Sequence, residues 1–180
     1  LTREPGGPPG AEQIRNVLLD GNYGPWKPLS EVLLHFAARR EHISQMIQPA
    51  LKAGDWVISD RFADSTTAYQ GYGKDVGVEA IAAIYGVVLG DLKPDLTLIL
   101  DLPVPIGLKR VMSRRRELDR YEQLDASLHE RVREGYKAIA KQDPERCILV
   151  DGSCSERETQ KTILEIVDKH LLSMNTDVTS

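Results

Sequence analysis

Three places in the chain set polar side chains straight after an apolar run or at a tight bend. They are Arg3-Glu4 before Pro5-Gly6-Gly7, Asp60-Arg61 after "WVIS", and Asp101 after "LTLIL". In an open parallel sheet, ligands bind at the carboxyl ends of the strands, where loops and helix N-termini with free N–H groups converge. Asp60-Arg61 opens the stretch "DRFADSTTAYQGYG", which carries Ser65, Thr66, Tyr69 and Gln70. This reads as a hydroxyl-rich loop with an aromatic, suited to orienting a planar base and an anionic group. Arginine supplies a planar donor fork for a phosphate or a carbonyl edge. In "REPGG", Pro5 and Gly6 fit the second and third positions of a type II turn, and an ordinary turn is as good a reading as a site.

The helical stretch "SEVLLHFAARREHISQMIQPALKAG" holds a sharper anomaly. Successive residues spaced by a helical period put Val32, Phe36, Ile43, Met46 and Ile47 on one apolar face, and Arg39 falls inside that stripe. A buried ion pair or an arginine that snorkels along its stem explains a lone case. The crowding of Asp60, Arg61, Ser65, Thr66, Tyr69 and Gln70 after a buried strand favours a ligand instead, with His35 or Phe36 available to stack on a ring.

A second cluster, "KRVMSRRRELDR", holds Arg110, Arg114, Arg115, Arg116 and Arg120. A solvated helix face accounts for it without any function. A nucleic-acid patch lacks support, because aromatics are not interleaved and the formal net charge of the chain is -4. Cys147 and Cys154 have no matching His or Cys partners at zinc-site or disulfide spacing, so both read as structural thiols.

The elements that must position these residues follow from periodicity. "DWVISDR", "DLTLILDL" and "RCILVDG" are continuous apolar runs closed by Asp, as expected for strands buried on both faces. Between them, "VEAIAAIYGVVLG", "LDASLHERVREGYKAIAKQ" and "SERETQKTILEIVDKHLL" carry helical spacing. Ser155 with Glu158 forms a capping box, Gly54 and Gly90 stand where helices end, and the tail after Leu172 reads as frayed. The alternation of the two periods predicts a parallel α/β layer structure. At 180 residues, 41% hydrophobic and 28% charged, the chain fits one globular domain with its own core. No apolar run is long enough to suggest a membrane span.

"TREPGG", "FAAR", "DRFADSTTAYQG", "PDLTLILDLP", "GLKR" and "ELDRYE", in this order and at roughly this spacing, resemble bacterial thymidylate kinases. The resemblance runs over 1–172 and implies a single thymidylate kinase-like domain with a lid at about 110–124 and a flexible tail at 173–180. It implies a three-layer P-loop NTPase-like α/β fold of the nucleoside monophosphate kinase type, with a parallel sheet flanked by helices. The implied activity is transfer of the γ-phosphoryl group of ATP, with Mg2+, to dTMP. The implied setting is a cytoplasmic homodimer with no nucleic-acid or membrane partner. Two alternatives stay in view: an inactive or merely nucleotide-binding fragment, and another deoxynucleoside or deoxynucleoside monophosphate kinase.

Roles follow residue by residue from the resemblance. Arg61 would grip the dTMP phosphate, and Asp60 would help organise the magnesium and phosphate region. Arg39 would bond the thymine edge, and His35 or Phe36 would supply the stacking ring. Ser65, Thr66 and Gln70 would line the base or sugar side. Tyr69 would pack against the deoxyribose where a 2′-hydroxyl would clash. Glu4 would line the phosphate acceptor region and Pro5 would fix the pocket wall. Arg114, Arg116 and Arg120 would belong to the ATP lid, with Arg116 and Arg120 the first choices for stabilising the transferring phosphoryl group. Tyr136 reads as core. The sequence has no G-x-x-x-x-G-K-[ST] loop, which kinases of this kind need for the ATP phosphates. The expectation is a family member given without its first strand, phosphate loop and first helix, in a longer natural protein. As it stands, the chain would bind dTMP weakly at best and fold poorly.

Overall fold

The computed structural model describes residues 1–20, 23, 25–113, 121 and 125–177. Its elements in chain order are β1 (Thr2–Arg3), α1 (Pro9–Leu19), α2 (Pro28–His42), α3 (Gln48–Lys52), β2 (Ser59–Asp60), α4 (Ala63–Thr66), α5 (Val78–Leu89), β3 (Thr97–Asp101), α6 (Val104–Ser113), α7 (Ala126–Gln142), β4 (Cys147–Asp151) and α8 (Glu156–Asp177). Two π-helical turns, Ile43–Ile47 and Thr67–Gly73, join α2 to α3 and extend α4. The chain forms two compact units, one of Leu1–Lys93 with Arg115–Tyr136 and one of Pro94–Arg114 with Lys137–Ser180.

In the first unit β1 lies parallel to β2, with Thr2 opposite Ser59 and Arg3 opposite Asp60. Its core gathers Val32, Phe36, Ile43, Ile47, Ala63, Ile81 and Leu89 from α2, the turn after it, α4 and α5. The apolar stripe is thus spent on packing, with one correction. Met46 is 39% exposed, because the wide π turn departs from the 3.6-residue period on which its inward position was reckoned. Pro49 explains where that turn falls. It has no N–H to give and its ring clashes with the carbonyl four residues back, so regular bonding gives way just before it.

In the second unit β3 and β4 pair in parallel over Thr97–Asp101 and Cys147–Asp151. Ile99, Cys147 and Val150 are buried, whereas Leu100 and Leu149 are 52% and 45% exposed. Burial on both strand faces is therefore not found here. Trp56 and Ile58 are exposed as well, and the expected seven-residue strand "DWVISDR" shrinks to Ser59–Asp60, since β1 offers only two residues to pair with.

Helix ends follow the sequence signals. Gly54 and Gly90 have φ of 84° and 60° and close α3 and α5. Ser155 and Glu158 bond reciprocally at the start of α8, which runs on past Leu172. Helix α1 is missed by the sequence reading, although Pro9 at its first turn was a start signal and Ala11 and Leu18 are its buried face. Two further readings are corrected. "ADSTTAYQGYG" is helical rather than a loop. The Glu4–Pro5 peptide is cis and Gly6 has φ 135°, so "REPGG" is not a type II turn.

Close backbone approach fixes α7 against the second π turn. A Cβ at Gly135 would meet the Tyr72 side chain at 2.8 Å, and one at Gly73 would meet Val132 Cγ2 at 2.9 Å. Glycine at both positions is what lets α7 bring Tyr136 to the polar cluster described next.

Candidate functional site

β1 delivers Glu4 inward. The Thr2 N–H donates to the Ile58 carbonyl and the Glu4 N–H to that of Asp60, so the residue after the strand is held against β2. The Glu4 side chain is buried and engaged at both oxygens. Arg39 Nε donates to Oε2 at 2.7 Å, and His42 Nδ1 lies 3.0 Å from Oε1. Arg39 Nη2 donates to Thr66 Oγ1 at 3.2 Å, and its guanidinium lies over the Phe36 and Phe62 rings at 4.8 and 5.4 Å. The anomaly on the apolar stripe thus has a partner. Yet Arg39 Nη1 is buried with no hydrogen-bond partner among the described residues. Leaving a buried donor unpaired costs about 1–3 kcal/mol, which an acceptor entering beside it would relieve.

A second wall is aromatic and cationic. Arg61, at φ 72°, stands over the Tyr69 ring at 5.1 Å. Tyr69 meets Tyr121 and Tyr136 edge-on, and Tyr136 Oη donates to Ser65 Oγ at 2.8 Å. Desolvation alone would lower the proton affinity of Arg61, but Tyr69, Tyr136 and Asp60 outweigh it and hold the guanidinium charged. Burial pushes the Tyr136 hydroxyl up to about 12, against the pull of the Arg61 charge. His35 Nε2 lies 3.0 Å from Tyr121 Oη. Burial first, then the charges of Arg39, Arg61 and Lys74, press its ring down to about 3, so it stays neutral at physiological pH. An anion arriving here meets the Arg61 guanidinium beside a neutral imidazole, with Arg39 and Lys74 already paired to Glu4 and Glu31.

The third side is a buried carboxylate. Glu31 accepts from Lys74 Nζ at 2.7 and 2.8 Å and from Gln70 Nε2 at 3.1 Å. Because a carboxylate only accepts, the Gln70 amide nitrogen must face it. Lys74 Nζ also lies 5.3 Å from the centre of the Tyr121 ring.

The structure therefore brings Glu4, His35, Phe36, Arg39, Arg61, Ser65, Thr66, Tyr69 and Gln70 into one unit. Pro5 stands at its margin, its carbonyl accepting from Arg15 Nη1 at 2.7 Å. Phe36 is committed to the core, edge-on to Tyr85, while His35 is half-buried beside Tyr121. Asp60 is exposed at the end of β2. Arg114, Arg116 and Arg120 lie outside the described residues. Sequence reasoning missed Glu31, His42, Lys74 and Tyr121, and took Tyr136 for core. His42 had a signal, since it lies three residues after Arg39 on the same helix face. Tyr136 had none, because its partners are distant in sequence.

The family model described as thymidylate kinase matches residues 1–163. The chain belongs to the thymidylate kinase family. It is 46% identical over 175 residues to a thymidylate kinase of Afipia carboxidovorans, covering 96% of this chain and 77% of that protein. It is 51% identical over 155 residues to one of Bradyrhizobium diazoefficiens, covering 85% and 68%. Among solved structures, the thymidylate kinase of Ehrlichia chaffeensis superposes with a TM-score of 0.75 at 32% identity, over 93% of this chain and 79% of that one. The P-loop kinase fold and the phosphotransferase class inferred from sequence agree with these findings. Among the described residues, no group of His, Cys, Asp and Glu could hold a metal by itself, and no helix is long and apolar enough to cross a membrane.

Proposed function

We propose that this cluster is the dTMP pocket of a thymidylate kinase, and that it presents the dTMP phosphate to the γ-phosphoryl group of ATP to give dTDP and ADP. The observation that carries the assignment is the unpartnered Arg39 Nη1, a buried donor at the end of a fork fixed by Glu4 and Thr66. Thymine offers it the O4 acceptor, whereas cytosine would turn an amine donor toward it. Tyr69 and Tyr136 shape the sugar side, and Arg61 holds the phosphate within the cationic wall. Asp60 is a single exposed carboxylate, which suits a cation that keeps several waters and takes one or two carboxylates plus phosphates. Mg2+ brought with ATP would be held there through water and would neutralise phosphate charge. The lid arginines Arg114, Arg116 and Arg120 complete the donor side of this reading.

A cytoplasmic setting and a homodimer belong to the same reading. The face from Val32 to Ile47 is committed to the core, so the exposed Leu33 and Val87, beside a groove between α2 and α5, are the surface that supports pairing.

Titration calorimetry with dTMP, dUMP and dCMP tests the pocket, and chromatographic detection of dTDP formed from ATP tests the transfer. A pocket fitted to one methyl group discriminates by only ~1–3 kcal/mol, so dUMP should bind weakly but measurably. Binding of dCMP as tight as that of dTMP would remove the basis of the assignment.

A further inference from the structure

His42 is fully buried and uses both ring nitrogens. Nδ1 lies 3.0 Å from Glu4 Oε1, and Nε2 lies 2.7 Å from Thr2 Oγ1. A carboxylate only accepts, so the proton on Nδ1 faces Glu4. The bend comes close to the other side of the ring, close enough to require glycine: a Cβ at Gly7 would stand 2.7 Å from His42 Cδ2. The two hydrogen bonds, to Glu4 and to Thr2, hold the imidazole in place beside the "REPGG" bend.

The geometry closes a relay across three segments. Thr2 is fixed in β1, His42 and Arg39 share one face of α2, and Thr66 lies on α4. Glu4 stands between the two α2 residues with one oxygen on each. A carboxylate bonded at one oxygen alone keeps freedom to rotate; a second donor on the other oxygen sets its plane. That plane sets Arg39 Nε, and with Nη2 on Thr66 the direction of Nη1 is determined.

We propose that His42 is a positioning residue: it fixes the Glu4 carboxylate and, through it, aims the Arg39 donor that reads the pyrimidine edge. This rests on the dTMP reading given above. His42 touches no substrate; it acts two bonds away, and its effect falls on affinity and base selectivity while kcat changes little.

Two substitutions separate this role from mere packing. Asparagine sets an amide donor near the place of Nδ1, and glutamine sets its amide near that of Nε2. The His42→Gln variant should raise the dTMP Kd about tenfold and narrow the preference for dTMP over dCMP. The His42→Asn variant should recover most of that loss, although it leaves the larger void. If the ring only fills space, the order reverses, and glutamine performs better than asparagine; that order overturns the proposal.

The Arg39 Nε–H resonance in 15N NMR gives a reading that needs no ligand. Slow exchange with solvent should persist in His42→Asn and vanish in His42→Gln, and equal exchange in both overturns the proposal. Absence of dTMP binding in every form, with the exchange order as expected, sinks the substrate reading and leaves the positioning role standing. Should both variants unfold, Thr2→Val reads the same relay from its far end. It should raise the dTMP Kd about threefold and speed Nε–H exchange, and no change in either overturns the proposal.

Discussion

Lys74 Nζ reaches both oxygens of Glu31, at 2.8 and 2.7 Å, although Glu31 is fully buried and Lys74 is 13% exposed. The pair is asymmetric. Lysine can return to water along its stem, but the carboxylate cannot. Removing the lysine therefore takes a cation away from a buried carboxylate that keeps its Gln70 donor, and breaking such a pair from one side costs about 3–5 kcal/mol. A Lys74→Met variant should fall toward the lower end, near ~3 kcal/mol, in urea unfolding. Adding Glu31→Gln should recover part of the loss, and a double variant less stable than the single one would show that the pair is not coupled.

Arg39 separates charge from shape. Arg39→Ala leaves Glu4 buried with His42 alone, and should cost about 3 kcal/mol of stability by the same logic. Arg39→Lys keeps the charge but loses the planar fork. Its stability should suffer less, while dTMP affinity drops by at least about tenfold, the worth of one charge-assisted bond. Calorimetry on the lysine variant decides, and unchanged dTMP affinity would detach Arg39 from the base.

His35 predicts how stability depends on acid. Its folded-state value of about 3 lies below the ordinary histidine value of 6.5, so in the window between them the unfolded chain binds the extra proton. Its contribution is present above pH 6.5 and is lost as pH falls toward 3. Urea midpoints measured from pH 7 down to pH 5 should decline, and His35→Gln should flatten that decline. A slope that survives the substitution would assign it to other groups.

Tyr136→Phe removes the hydroxyl that donates to Ser65 and sits in the field of Arg61. The loss should be ~1 kcal/mol in stability, with a comparable weakening of dTMP binding. Its raised value, about 12, has an alkaline signature. Above pH 10 the unfolded chain sheds this proton while the folded one keeps it, so stability falls as pH rises toward 12. Ultraviolet titration of the folded protein should show a late tyrosinate component that Tyr136→Phe removes.

How far the site could be read from sequence depended on the range of each interaction. Arg39 stood out because a guanidinium on an apolar stripe is a local contradiction, visible within one helix. The strands β3 and β4 and the capping box at Ser155 are equally local. The helix through Ser65 to Gly73 was not legible, because serine, threonine and glycine have weak helix preference and tertiary packing decides. Glu31 and Lys74 were missed for another reason. Each is an ordinary surface type, and only a fold that brings residues so far apart in sequence together makes them a buried pair. The exposed faces of β3 and β4 are the reverse case: the apolar runs are there, but the described residues do not cover both sides.

Gly73 and Gly135 are the places where the second π turn and α7 meet. Each lacks the carbon that would hold the other segment off, so they act as a spacer of minimum thickness. Tyr136 follows Gly135 directly, and Tyr69 and Gln70 share their turn with Gly73. The aperture between these side chains is thus a distance between two backbones. Adding one methyl group at either glycine would resize the pocket from behind, with every ligand-facing residue left unaltered.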